Sequence, residues 1–250
     1  SRTKSMNRQL AWSLAFVAGA VNAGGFLAVK LYTSHVTGSV AKISDALAMG
    51  DTVLALEGLG IVVFFGSGAF FSTLLVSFGR RHRFKSHYAL SLLIEACLLI
   101  LFGLIGAQLS GVHGLFVSAT VMLLSFMMGM HNSMVTTISN AEVRTSHMTG
   151  IVTDLGIELS RLFYFNRSRD KKILPIKANR DKIKLHSLIL ASFFGGGLVG
   201  AVTFKHVGFK MALFLAAFLI FLAVRPIFHD LRVRWRLRQL SKTSGAGFRG

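Results

Sequence analysis

The hexapeptide TSHVTG at Thr33–Gly38 returns as TSHMTG at Thr145–Gly150, 112 positions later (145 − 33). The repetition extends upstream, where FVAGAVNA at Phe16–Ala23 aligns with FMMGMHNS at Phe126–Ser133 and shares Phe, Gly and Asn at one spacing. That offset is 110 (126 − 16), so the halves differ by two residues between the blocks. Each hexapeptide leads into an amphipathic stretch, SVAKISDALAM at Ser39–Met49 and IVTDLGIELSRLFYF at Ile151–Phe165, too short or too polar for an ordinary membrane crossing. Two apolar runs follow each stretch. A half is therefore expected to be a glycine-broken helix, a polar turn, a short helix and two further helices.

The composition places this pattern in a bilayer. Hydrophobic residues make up 52% of the 250, charged residues 15%, and the mean hydropathy is +0.59, which excludes an ordinary soluble domain. A helix needs roughly 20 apolar residues to cross about 30 Å of hydrocarbon. Six runs reach or approach that length, at about 11–29, 53–78, 87–108, 113–135, 185–204 and 207–228. The first is followed by polar KLYTSHVTG without a small-residue cleavage site, so a retained helix is expected rather than a secretory signal. Cys97 is the sole cysteine, which excludes an internal disulfide. Pro175 and Pro226 fall near helix ends, leaving any break inside a crossing to Gly and polar residues.

The net charge of +18 is unevenly spread. With a cytoplasmic N-terminus, the inside segments 1–10, 79–86, 136–184 and 225–250 hold three, four, ten and seven of the Lys and Arg residues, or 24 of 28. Only Lys30, Lys42, Lys205 and Lys210 fall outside. This bias follows the positive-inside rule and puts both termini in the cytoplasm, with 229–250 as a basic tail. The same face suits membrane lipids with anionic headgroups. No nucleic-acid partner is expected, because base-reading and stacking motifs are missing.

Three crossings per half is an odd number, so the second copy enters the membrane from the opposite side. The chain reads as a single membrane domain over 1–250, built from inverted-topology repeats at 11–108 and 113–228. The fold class expected is an all-α integral membrane protein with six crossings and a short broken or re-entrant helix after the first crossing of each half. In such proteins paired Gly-interrupted segments point to a binding site near the midplane. Irregular backbone at that depth survives only within protein or beside a water-filled cavity. Gly19, Gly24, Gly25, Gly129 and Gly150 also have a second reading, as positions of close helix approach; small-residue faces of this kind suit a homodimer.

The repeated polar residues are the expected lining of a solute path: Asn22, Ser34, His35 and Thr37 from the first half, Asn132, Ser146, His147 and Thr149 from the second. Amides both donate and accept hydrogen bonds. Thr37, Gly38 and Ser39, and likewise Thr149 and Gly150, are expected to precede the short helices as N-cap signals. Free backbone N–H groups and the positive end of each helix dipole would then face an anionic solute. The plainer reading of the same residues is a capped helix at the interface.

Acidic residues give a second signal. Glu95, in the middle of the third run, and Asp154, on the second short stretch, are the candidates for proton or cation coupling, since ionisable groups at membrane depth mark ion paths. For Glu95 the alternative is an internal ion pair or a neutral protonated carboxyl. Glu57 and Glu158 complete the set; Lys42 aligns with Asp154 at the 112-residue offset, which allows a Lys42–Asp154 pair across the pseudo-twofold. His131, beside Asn132, is a third imidazole candidate for proton carrying after the symmetry mates His35 and His147, with a hydrogen-bonded structural histidine as the alternative for each.

No metal and no cofactor are expected, because the nine histidines and Cys97 form no ligand spacing. GxxxxGK[ST], dinucleotide, GxSxG and HExxH motifs are missing, so no catalytic residue is assigned and the chain is not read as an enzyme. A hydrolase using Ser34 or Ser146 with its neighbouring His is disfavoured, since adjacent residues rarely present nucleophile and base to each other.

GAVNAGGFLAV at 19–29, YTSHVTGSV at 32–40, SFMMGMHNSMV at 125–135 and VRTSHMTGIVTDLG at 143–156 resemble the YoaK-type family of bacterial inner-membrane proteins, a domain-of-unknown-function family. The resemblance runs from about residue 11 to 224. It implies a six-helix protein of the bacterial inner membrane and supplies no substrate. That family commonly has Asn after the first TG and often Asp in the early helix, where this chain has Ser39 and Asn22. The function expected from the repeats and charges is transport of a small polar or anionic solute or ion by alternating access, with proton or cation coupling. A channel, or a scaffold or sensor using basic 166–184 and the tail, is the alternative.

Overall fold

A computed structural model describes residues 4–81, 88–108, 115–138, 148–164 and 176–224. Ser146, His147, the expected basic tail and residues 166–175 of the basic loop lie outside the described residues. Within the described residues all regular structure is helical. The order is α1 (Lys4–Val29), α2 (Val36–Ala48), α3 (Thr52–Arg81), α4 (Ala89–Gln108), α5 (Leu115–Ile138), α6 (Met148–Phe163) and α7 (Arg180–Val207). A 3₁₀ turn at Gly208–Lys210 follows, and 211–224 is helical again.

Among the described residues four stretches are long and apolar enough to cross a membrane: Gln9–Val29, Thr52–Arg81, Ala89–Gly106 and Arg180–Val224. The last holds the run expected at 185–204 and residues 207–224 of the run expected at 207–228, and its chain turns at Gly208, whose φ of 68° suits a residue without Cβ. Of the run expected at 113–135, residues 115–135 lie in the continuous helix α5, which is not among these four stretches.

Local chemistry fixes the joints. α1 ends where Lys30 takes φ 57°, a left-handed conformation costing a non-glycine residue about 1–2 kcal/mol, with its N–H on the Phe26 carbonyl at 2.8 Å. Tyr32 then stacks on Phe26 at 4.6 Å and directs the chain toward α2. Gly50, at φ 76°, closes α2, while the Asp51 N–H bonds back to the Ala46 carbonyl at 2.9 Å. The Asp51 carboxylate accepts from the Leu54 N–H at 3.0 Å and so caps α3.

The expectation of glycine-broken first helices is overturned. α1 runs without interruption through Gly19, Gly24 and Gly25, and α5 through Gly129. The glycines serve contact instead. α1 lies against α7, and α5 against α3, so the first helix of each half packs on a long helix of the other. Each of the four carries F-x-x-G: Phe16–Gly19, Phe65–Gly68, Phe126–Gly129 and Phe193–Gly196. A Cβ on Gly19 would run into the Phe193 carbonyl oxygen and one on Gly196 into that of Phe16; Gly68 and Phe126, Gly129 and Phe65 repeat the relation in the other seam. Gly24 faces the Phe204 ring and Gly25 the Leu124 side chain. Gly150 has nothing within 4 Å, so its close-packing reading fails.

Inside the bundle Leu14, Val17, Leu92, Leu99, Leu124 and Leu219 are buried, while Phe64, Phe70 and Leu74 of α3 face outward. With apolar residues on both sides, lipid tails are as good a solvent as the core, and close packing at the glycine seams holds the helices together.

Candidate functional site

Glu95 stands on α4 between Leu92 and Leu99, both fully buried, and its side chain meets α5. Glu95 Oε1 lies 2.6 Å from His131 Nδ1, with the two side chains 3% and 1% exposed. At that distance one proton is held between carboxyl and imidazole, and charged hydrogen bonds of this kind are among the strong ones. Glu95 Oε2 and His131 Nε2 are buried without a hydrogen-bond partner among the described residues. One expected coupling residue thus sits in a closed polar pair, joined to the histidine beside Asn132.

One turn before Glu95, Ser91 Oγ is 2.9 Å from Ser72 Oγ of α3, and both residues are fully buried. The two hydroxyls occupy each other and continue the polar seam from α4 to α3. At its other edge Thr73 Oγ1 and Ser133 Oγ join α3 to α5 at 2.6 Å. Neither serine pair was singled out from sequence. The available signal was Ser91 at i−4 from Glu95, which puts both on one helix face.

The first-half solute residues are partly brought together. Ser34 Oγ donates to Asn22 Oδ1 at 2.8 Å, tying the hexapeptide back onto α1. His35 and Thr37 are exposed and do not join them. The His35 ring lies over Gly38, where a Cβ would come within 2.5 Å of Nδ1. Ser34 and His35 therefore turn to different partners, and no nucleophile–base pair forms between them. In the second half Asn132 is buried in α5 and Thr149 is exposed on α6, its carbonyl accepting from Thr153 Oγ1 at 2.8 Å.

The capping expectation is also corrected. α2 begins at Val36 and α6 at Met148, so Thr37, Gly38, Ser39, Thr149 and Gly150 lie inside the first turns rather than ahead of them. His35 holds the cap position of α2 with no side-chain capping bond. Ser39 Oγ instead bonds the His35 carbonyl at 3.3 Å. A hydroxyl already inside the helix bonds back to i−4 and cannot cap its start.

The charged residues pair within their own halves. Lys42 of α2 reaches Glu57 of α3 at 4.0 Å, and Asp154 of α6 reaches Lys182 of α7 at 3.3 Å, with His186 Nε2 3.8 Å from the same carboxylate oxygen. The Lys42–Asp154 pair across the halves does not form. Each short helix binds the long helix that follows it, with the signs exchanged between halves. Glu158, one turn after Asp154, is buried; its Oε1 accepts from Arg161 Nη1 at 2.9 Å and its Oε2 from the Asn179 N–H at 2.8 Å. Asn179 in turn caps α7, its side chain accepting from the Lys182 N–H at 3.0 Å. Asp154 and Glu158 thereby anchor α6 to the start of α7.

Among the described residues no three His, Cys, Asp or Glu side chains gather as a metal site. No curated protein and no solved structure matches the chain. A family model does, over residues 10–225, which takes in both hexapeptides, both glycine seams and the Glu95–His131 pair. The chain belongs to the family described as protein of unknown function, DUF1275.

Proposed function

We propose that this chain is a membrane carrier for a small polar or anionic solute, working by alternating access between two inverted repeats of three crossings, at about 11–108 and 113–228. The observation that carries this reading is the crossed pairing of α1 with α7 and α5 with α3 through reciprocal F-x-x-G contacts. Smooth glycine seams let rigid helix pairs shift against each other with little side-chain interlocking, which a rocking carrier needs. Asn22 and Ser34 line the path from one half, with His35 and Thr37 at its exposed mouth. Asn132, Ser146, His147 and Thr149 are their counterparts. The repeat equivalence and the resemblance to YoaK-type proteins support a bacterial inner membrane with both termini in the cytoplasm.

The test is thiol accessibility in a Cys97→Ala background, with single cysteines at Ser34 and Ser146 probed from each side by a membrane-impermeant reagent. Labelling of Ser34→Cys from outside and Ser146→Cys from inside, each altered when solutes from a broad polar panel are added, is the expected result. Absence of labelling at both positions under all conditions would remove the solute path. A scaffold recruiting partners through its basic segments would then be the better account.

A further inference from the structure

Two atoms of the Glu95–His131 pair point away from the bond that joins them. Glu95 Oε2 and His131 Nε2 are both buried and both lack a hydrogen-bond partner among the described residues. Leaving a buried polar atom unsatisfied is costly, so a purely structural pair gains nothing from keeping two of them. The 2.6 Å contact settles how a proton is handled. With Glu95 as carboxylate, His131 Nδ1 carries the hydrogen donated to Oε1, which leaves the lone pair on Nε2. A proton arriving at Nε2 converts imidazole to imidazolium beside the carboxylate. No other bond changes, and the charge of the pair goes from −1 to zero.

We propose that Glu95 and His131 form one proton-binding site, loaded and unloaded at His131 Nε2, and that the proton is the coupling ion of this carrier. The coupling half of the statement rests on the carrier reading above; the proton site does not.

The surroundings favour a proton over a larger ion. No third His, Cys, Asp or Glu joins the pair among the described residues, so a metal would find only two ligands. Of the elements packed around it, α5 holds no other titratable side chain, nor do residues 9–29 of α1 or 211–224. On α3 the groups are Glu57, Arg80 and Arg81, all exposed and toward the helix ends; on α4 they are Tyr88, buried at its start, and Cys97, exposed. Lys210 on the 3₁₀ turn is exposed. The pair alone therefore carries the change in charge.

The site is also one-sided. The position matching His131 in the first half is Val21 (131 − 110), which is buried among apolar neighbours. The first half thus carries no counterpart of this pair at the matching position.

The protein carrying ¹⁵N-histidine, in lipid bilayers, is titrated while the His131 Nε2 resonance is followed by solid-state NMR, with the signal assigned by its loss in His131→Gln. The expected result is a reversible shift of Nε2 from the unprotonated to the protonated range. Glu95→Gln, which removes the anion but keeps the shape, is expected to change the titration of the Nε2 resonance, since the carboxylate and the imidazole share one hydrogen bond. If that variant does not fold, Glu95→Asp tests the same point through a lengthened contact and a changed titration of the resonance. A resonance that stays fixed at every pH at which the protein is folded overturns the proton site. An unchanged titration in the Glu95 variants overturns the pair as its unit. In vesicles with different pH on the two sides, a resonance that follows one side only leaves the proton site standing and overturns its coupling to alternating access.

Discussion

Gly129 of α5 rests on the main-chain carbonyl of Phe65 in α3, and Gly68 of α3 rests in return on the carbonyl of Phe126 in α5. No side chain fits between either pair of backbones. Gly129→Ala is therefore expected to push the helices apart and destabilise the protein by about 1–3 kcal/mol, the usual range for overpacking. The double variant Gly68→Ala/Gly129→Ala should cost less than the sum, because the seam opens once. Gly150→Ala, in open space on α6, serves as the control and should be neutral or slightly stabilising. Thermal unfolding in detergent reads all three.

Ser34 and Asn22 are joined by a single half-buried hydrogen bond. Ser34→Ala should cost about 0.5–1.5 kcal/mol, and Asn22→Ala a similar amount. The double-mutant cycle should show a coupling comparable to either single loss. If the two effects simply add, the hexapeptide is not held to α1 through this bond.

Glu158 is the anchor between α6 and α7. Removing its carboxylate in Glu158→Ala strands the Asn179 N–H and Arg161, and should cost about 1–3 kcal/mol. Glu158→Gln keeps an acceptor for the Asn179 N–H and should cost less. Hydrogen exchange would place the damage at the first turn of α7, where Asn179 caps the helix.

Asp154 and Lys182 are 41% and 37% exposed at their side chains, which makes their ion pair weak. Asp154→Asn should change stability by no more than about 1 kcal/mol, and added salt should shrink the effect. A loss several times larger, insensitive to salt, would mean that His186 depends on this carboxylate for its buried position.

Much of the architecture was legible from one dimension. Apolar run lengths announced helices fit for a membrane. Glu95 stood out as an ionisable residue inside an apolar run, and His131 as the imidazole beside Asn132. Glycine carried two readings, of which close helix contact holds at Gly19, Gly24, Gly25 and Gly129 and the break in the helix does not. A glycine in an apolar run reads equally as a break in its own helix or as a notch for another, and propensity cannot choose between them. The N-terminal boundaries of α2 and α6 were misplaced for a related reason, since Thr and Ser serve as caps outside a helix and as back-bonding residues inside it.

The sequence alone determined the helical, membrane-like class of this protein and its internal duplication, because hydropathy and repetition are properties of neighbours along the chain. Only the tertiary structure decided that four F-x-x-G motifs close two crossed seams, that Lys42 and Asp154 bind the helices following them rather than each other, and that Glu95 meets His131. Those outcomes depend on the rotation and axial register of one helix against another. A shift of one residue turns a helical side chain by about 100°, enough to bring two buried polar groups together or hold them apart.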